Sequence, residues 1–533
     1  GGIVGRLFRE FAMTVTIAVV VSAIVSLTLT PMMCSRFLRH EHGSHGVFYR
    51  AIERFFEGLI AGYRRTLDVA LRHQFITLMT FLVTVSITVG LYIYIPKGFF
   101  PDQDTGVILG VSEATQDVSF KEMQRRTMAL AEVLMQDPDI DGYSANMGAG
   151  LGGQTENNGR FFITLKPFSE RRASAQQIIA RLRPKLAQVE GGALYLQAGQ
   201  DIRVGGRLAK TQYQYTLTDA DVGELYTWSP KVLDKLKTLP QVRDVATDQQ
   251  MNGTTATLTI DRDAASRFGV SPQLIDATLY DAFGQNQITQ YFTQINSYKL
   301  ILEVPQAMQE DLGTLDKLYV KSSSGQPVQL SSLVKIDTTR VAPLAISHQS
   351  QFPAVTISFN LATGSALGDA VSAIQVAMRE IGAPVTLVGN FQGTAQAFQS
   401  SLSSQPYLIA AALIAVYIIL GILYESYILP LTILSTLPSA GVGALLILML
   451  FGYDLTVIAL IGIILLIGIV KKNGIMMVDF AITAERVRGM APREAIRQAC
   501  LLRFRPILMT TMAALLTGLP LMLGAGAGSE FRR

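Results

Sequence analysis

Two adjacent lysines, Lys471 and Lys472, interrupt a run from Val457 to Phe480 that otherwise reads as one membrane-spanning helix. Charge at that depth costs about 2.5–3.5 kcal/mol per residue even on the milder insertion scales, so a chain keeps it only where a counter-charge or a water path compensates. A lysine so placed can hold a carboxylate ionised and release it on protonation, which is proton-handling chemistry inside a membrane. A helix end at the lysines, with both snorkelling to the interface, is the bland alternative. The residues from Val457 to Val470 would then rise only about 21 Å, short of a ~30 Å hydrocarbon core, so the span must run on past the lysines. Successive helical residues diverge by about 100°, so the two lysines serve different neighbours. Asp479, seven residues after Lys472, falls roughly on the same face. The last apolar span carries Arg503 and Arg505 at its mouth and Thr510 and Thr511 farther in, and Arg503 and Thr510 share a face by the same spacing of seven. A membrane threonine by itself usually bonds its own backbone. Beside a buried lysine on the preceding span, Thr510 becomes a candidate relay member. No span carries Asp or Glu at mid-depth, so a relay built on these residues needs an acidic partner from outside the 533 residues.

The elements that must position these groups are membrane helices. Segments at 11–35, 75–95, 405–424, 429–451, 455–480 and 506–524 are long and apolar enough to span. Arginines cluster in the link between the first two (Arg36, Arg39, Arg50, Arg54, Arg64, Arg65, Arg72) and in the link between the last two (Arg486, Arg488, Arg493, Arg497, Arg503, Arg505). Both links are therefore expected in the cytoplasm, and the long polar region 102–403 on the opposite side. Within the first link, Val47–Leu71 sets Phe48, Ile52, Phe55, Phe56, Leu59 and Ile60 against Arg50, Glu53, Arg54 and Glu57, the pattern of a helix lying on the membrane surface. Composition agrees: at 49% hydrophobic and 16% charged residues the chain is too apolar for an ordinary soluble protein and too charged for membrane helices alone. The net charge of +4 is small and dispersed, which argues against nucleic-acid binding. Cys34 and Cys500 adjoin the basic, cytoplasmic segments and are expected as free thiols. Both chain ends read as cuts within a longer protein.

The polar region predicts strands and helices in the order β-α-β-β-α-β. Strands at Val107–Ser112, Tyr143–Met147, Phe161–Leu165 and Ala193–Gln197 alternate with helices at Phe120–Met135 and Ala175–Leu186. A second set has strands at Tyr213–Leu217, Val242–Thr247, Ala354–Phe359 and Val385–Val388 with helices at Asp221–Leu236 and Ala366–Ile381. The predicted organisation is a membrane helix (1–36), a cytoplasmic linker with an amphipathic helix (37–74), a second span (75–95), a first α/β module (102–212), a second (213–261 with 347–395), an insertion (262–346) and four further spans (405–524). No GxxxxGK[ST] occurs, so ATP hydrolysis is not expected and an ion gradient is the better driving force. Gly148 to Gly153 matches GxGxxG, but a strand follows it instead of a helix, so a glycine-rich loop between strands is the reading. The cluster His40, His42, His45 lacks Cys or carboxylates at ligand spacing, and the methionines of the polar region are scattered, so no metal site is expected.

Three stretches carry a family resemblance: Leu465–Ala481, Leu501–Thr511 and Gly421–Pro430. They resemble the resistance-nodulation-division (RND) efflux pumps, most of all subunits of MdtB/MdtC type. The resemblance implies a membrane α-helical bundle of six transmembrane helices with an α+β periplasmic domain of two ferredoxin-like (split βαβ) porter modules and an inserted docking module. It implies a proton/drug antiporter of the bacterial inner membrane, driven by the proton gradient without a cofactor. The implied partners are a periplasmic adaptor, an outer-membrane channel, homologous subunits in a homo- or hetero-trimer, small-molecule drugs and membrane lipids. Lys472 matches the family's relay lysine, Asn473 its neighbour, Arg503 the relay arginine and Thr510 the relay threonine, while the relay's aspartates lie on a helix outside this chain. Gly148, Gly150, Gly153 and Gly159 match the switch loop beside the drug pocket, and Tyr143 and Phe162 match pocket phenylalanines. Tyr143 departs from Phe and the loop has no aromatic, which reduces ring stacking there. Lipid export, assistance to protein translocation and a non-transporting partner subunit are the alternatives on the same scaffold.

Overall fold

The computed structural model describes residues 2–37, 47–148, 155–202, 204–205, 209–309, 311–524, 526 and 528–531. Three helices open the chain: α1 (Gly2–Phe37), α2 (Val47–Arg72) and α3 (Gln74–Tyr94). The first α/β layer follows as β1 (Val107–Ala114), α4 (Phe120–Met135), β2 (Ile140–Met147), β3 (Asn158–Leu165), α5 (Ala175–Leu186) and β4 (Gly192–Ala198). Its antiparallel sheet has the order β2-β3-β1-β4. Strand alternation turns Phe161, Ile163 and Leu165 of β3 inward, where they pack with Leu130 and Leu134 of α4 and Ile178 and Leu182 of α5. Ser174 starts α5 with a capping box: its hydroxyl accepts from the Gln177 amide, and the Gln177 side chain accepts from the Ser174 amide.

The second layer uses β5 (Tyr213–Thr218), α6 (Val222–Lys237) and β6 (Val242–Thr247), and resumes after an excursion. In the excursion lie β7 (Gly253–Ile260), α7 (Arg262–Arg267), α8 (Pro272–Phe283), β8 (Asn286–Phe292), β9 (Ser297–Leu302), α9 (Gln306–Gln309), β10 (Tyr319–Lys321), β11 (Pro327–Gln329) and β12 (Val334–Ala342). The layer then closes with β13 (Ser347–Gln349), β14 (Phe352–Leu361), α10 (Leu367–Glu380) and β15 (Val388–Gln392). The sheet order is β13-β14-β5-β15, with β6 also paired to β14. Leu217 of β5, Leu225 and Val232 of α6, Ile357 and Phe359 of β14 and Ile374 of α10 are all fully buried in one core. Arg183 on α5 pairs with Asp244 on β6 at 2.7 Å and ties the two layers together. Leu217→Ala should lower stability by about 3 kcal/mol, transfer and cavity terms together. Trp228, the one tryptophan of the chain, packs against this core, so denaturation followed by its fluorescence reads the loss directly.

The sequence places two boundaries differently from the structure. The strand expected at Val385–Val388 is β15 at Val388–Gln392; the Leu387 amide donates to the Pro384 carbonyl in a turn, and Val385 is left 98% exposed. The excursion forms its own compact unit, Thr115–Ser119 with Gln249–Ile346, so it begins at 249 where the sequence pattern suggests 262. The reason is β7, which pairs antiparallel with β12 about 75 residues later instead of extending the second sheet. The unit's core gathers Ile275 of α8, Val320 of β10, Leu330 and Leu333.

After β15 come α11 (Thr394–Tyr424), α12 (Leu429–Leu434), α13 (Leu437–Leu450), α14 (Val457–Arg488) and α15 (Pro492–Met522). Among the described residues six segments have the length and apolarity to cross a membrane: Phe8–Phe37, Gln74–Tyr94, Thr394–Tyr424, Leu429–Leu450, Val457–Arg488 and Pro492–Pro520. The fourth is broken between α12 and α13, where Pro438 has no N–H to give the Leu434 carbonyl. α14 and α15 are each longer than their apolar runs, so only Gly489–Ala491 separates them. Gly489 ends α14 at φ 63°, the left-handed cap that glycine adopts without strain. α2 packs on α15: Asp68 accepts from Arg497 at 2.7 Å, the Tyr63 and Phe504 rings stack at 4.6 Å, and Arg505 lies 5.1 Å from the Phe56 ring. Its Ile52, Phe55 and Leu59 remain exposed on one face, as an amphipathic surface helix requires.

Candidate functional site

The site is the seam between α14 and α15. α14 starts at Thr456, whose hydroxyl accepts from the Ala459 amide, and reaches the lysines four turns later. The helical divergence of the two lysines is realised: Lys471 is buried at 9% exposure, and Lys472 is exposed. Gly474, one turn beyond Lys471, packs on α12, where an added Cβ would meet the Ile433 side chain at 3.5 Å. Lys471 therefore belongs to the face turned inward, and Lys472 makes no ion pair among the described residues. Lys472 and Asp479 form no bridge, because seven helical residues separate them by about 10.5 Å along the axis.

Asn473 brings the two helices together, its side-chain amide donating to the Thr511 hydroxyl at 3.5 Å. Thr510, which helical spacing sets on the Arg503 face, instead donates its hydroxyl to the Ile507 carbonyl at 3.0 Å. The hydroxyl that reaches across the seam is thus Thr511. Arg503 lies with its guanidinium carbon 5.1 Å from the centre of the Phe480 ring, a cation–π contact, and its Nε is buried with no hydrogen-bond partner. Phe480 escaped the sequence reading. The signal for it was present: Phe480 follows Asn473 by seven residues, as Thr510 follows Arg503, so one face of each helix meets the other. The seam thus holds an arginine with an unused donor, an amide and two hydroxyls, and next to it on α14 the exposed Lys472 makes no ion pair among the described residues.

The expected pocket residues are placed separately. Tyr143 on β2 stands opposite Ile163 of β3, and its ring centre is 6.1 Å from that of Phe161, on the helix-covered side of the sheet. Phe162 stands opposite Ser144 and projects from the other face. Both are about two-fifths exposed, and the structure does not bring them together. Gly148 adopts φ 92°, a left-handed conformation, and Gly159 lies where a Cβ would meet the Ser112 hydroxyl at 2.5 Å. Gly150 and Gly153 lie outside the described residues, as do His40, His42 and His45.

The sequence model of the AcrB/AcrD/AcrF family matches residues 1–533. The chain belongs to the AcrB/AcrD/AcrF family. Members of this RND family are secondary transporters and not ATPases, and membership supports efflux transport as the general activity. AcrB-family proteins typically form trimers and work with adaptor and outer-membrane channel partners. The six apolar helices accord with a multi-pass membrane protein.

Proposed function

We propose that this chain is an inner-membrane part of a tripartite exporter of MdtB/MdtC type that exchanges protons for drugs and other amphiphiles. The observation that carries the proposal is the α14–α15 seam, where the Arg503 Nε is buried without an acceptor, together with Lys472, which adjoins Asn473 and has no ion pair among the described residues. A carboxylate supplied from outside these 533 residues pairs with Lys472 while ionised. Protonation from the periplasmic side cancels that attraction, and the lysine turns towards Asn473 and the Thr510–Thr511 pair. α14 and α15 then shift against their neighbours, an electrostatic switch acting on a two-state bundle. α11 is continuous with β15 through Gly393, so a movement of the bundle reaches the second α/β layer directly. In this reading the two α/β layers are the porter modules, and the unit at 249–346 is the docking module.

Export by inverted membrane vesicles of cells producing the complete pump tests this. Accumulation of a fluorescent amphiphile should cease when a protonophore collapses the gradient and should be indifferent to ATP hydrolysis. Transport that survives the protonophore overturns proton coupling.

A further inference from the structure

α11 leaves the second sheet as a helix whose first three turns carry one polar face. Gln396, Ser400, Ser401, Ser404 and Gln405 recur at intervals of three and four residues and so share one face. That face lines a cavity of 950 Å³, a volume suited to a drug-sized ligand. Opposite it is the side of the second sheet turned away from α6 and α10. There Gln214 and Gln392 stand directly opposite each other on β5 and β15, and the Thr216 and Thr356 hydroxyls lie 3.2 Å apart. Towards the apolar spans the cavity is bounded by Phe8, Leu408 and Leu460. None of the described lining residues is Asp, Glu, Lys or Arg. Gln405 is 4% exposed, and its Oε1 is buried with no hydrogen-bond partner. A buried amide oxygen left without a donor is costly, and such an atom in a wall marks where a donor is wanted.

We propose that this cavity binds the head of a neutral, polyhydroxylated amphiphile, a glycoside bearing an alkyl chain. Amide and hydroxyl side chains both donate and accept, which matches a ring of sugar hydroxyls. A charged head would lose its hydration to walls whose described residues include no carboxylate, ammonium or guanidinium and, as the one basic group, the His348 imidazole. The Gln405 Oε1 accepts from a sugar hydroxyl, and the alkyl chain follows Phe8, Leu408 and Leu460 towards the membrane. The site is built from one sheet face and three helices of this chain, away from the α14–α15 seam. Binding is measured without transport, so failure of this inference and failure of proton coupling are separate results.

The test uses the whole chain in phosphatidylcholine nanodiscs, with n-dodecyl-β-D-maltoside below its micelle concentration as the probe in equilibrium dialysis. Dodecyltrimethylammonium and dodecyl sulfate serve as tail-matched competitors. One saturable maltoside site is expected, at least about tenfold tighter than for either charged head. Gln405→Leu should weaken it about tenfold and Thr216→Val about threefold, each removing one hydrogen-bonding group. Thr216→Val keeps the side chain's shape, so it remains informative if Gln405→Leu fails to fold. Partitioning without saturation, equal affinity for the three heads, or maltoside binding unchanged in the folded variants overturns the proposal.

Discussion

Replacing Lys472 by methionine should reduce export by the complete pump to background while leaving expression and membrane insertion intact. Methionine keeps most of the length of the side chain and removes the ammonium with its N–H donors, so the loss isolates the cation from packing. The neighbouring lysine supplies the control. Lys471 is buried about 100° round α14 from Lys472, towards the face that packs against α12 through Gly474. Lys471 makes no ion pair among the described residues, so Lys471→Met takes an uncompensated charge out of a buried position at no cost in lost pairing. It should retain most export. Drug-resistance assays beside immunoblots of membrane fractions distinguish the two variants. Export retained in Lys472→Met, or lost in Lys471→Met alone, would mean that the working cation has been misassigned.

Replacing Arg171 by leucine should cost about 4 kcal/mol of stability, because it strands a buried carboxylate. The Arg171 guanidinium, 1% exposed, donates to both oxygens of Asp104 at 2.7 Å and also to the Lys166 and Ala173 carbonyls. Asp104 accepts further from the amides of Ala175 and Gly106, so it fastens the start of β1 to the start of α5. Burial by itself pushes the Asp104 carboxyl up, but the Arg171 guanidinium and the two amides outweigh it and hold the group below its ordinary range. A carboxyl whose folded-state pKa is depressed stabilises the fold above its unfolded value, about 4, and that contribution disappears as pH falls through the folded value. The wild-type chain should therefore keep this contribution at neutral pH and lose it only in acid. In Arg171→Leu only the Ala175 and Gly106 amides still oppose burial, so the carboxyl rises and the loss should begin at higher pH. Thermal melts of both proteins between pH 3 and 8 check the sign, and Arg171→Leu/Asp104→Leu should recover part of the deficit. Parallel pH profiles for wild type and Arg171→Leu would refute this account of the pair.

Much of the architecture is written locally and could be read locally. A span is a long apolar run whatever it packs against, so six segments stand out by length and hydropathy alone. The β-α-β-β-α-β order follows from alternation giving way to helical periodicity, each a property of a few neighbouring residues. The separation of Lys471 from Lys472 needs only the helical twist. Ends set by polarity were less legible: the first turns of α11 are rich in Gln and Ser and do not look like a span, although they belong to one continuous helix.

What the tertiary structure decided depends on groups far apart in the chain. Nothing near Gly253 indicates that β7 pairs with β12, so the inserted unit's start could not be read from the sequence. Helical spacing put Thr510 on the Arg503 face, but the approach of α14 to α15 selected Thr511 as the partner of Asn473. Tyr143 and Phe162 are both aromatic, but the β2–β3 register put them on opposite faces of the sheet. Phe480 met Arg503, and the α11 stripe met the sheet's polar face, only through packing. The sequence by itself determined which residues carry charge inside the apolar spans and which helical face each occupies, because hydropathy and twist are local. Which of them meet was settled by the crossing of helices and the pairing of strands, which arise from contacts between distant parts of the chain.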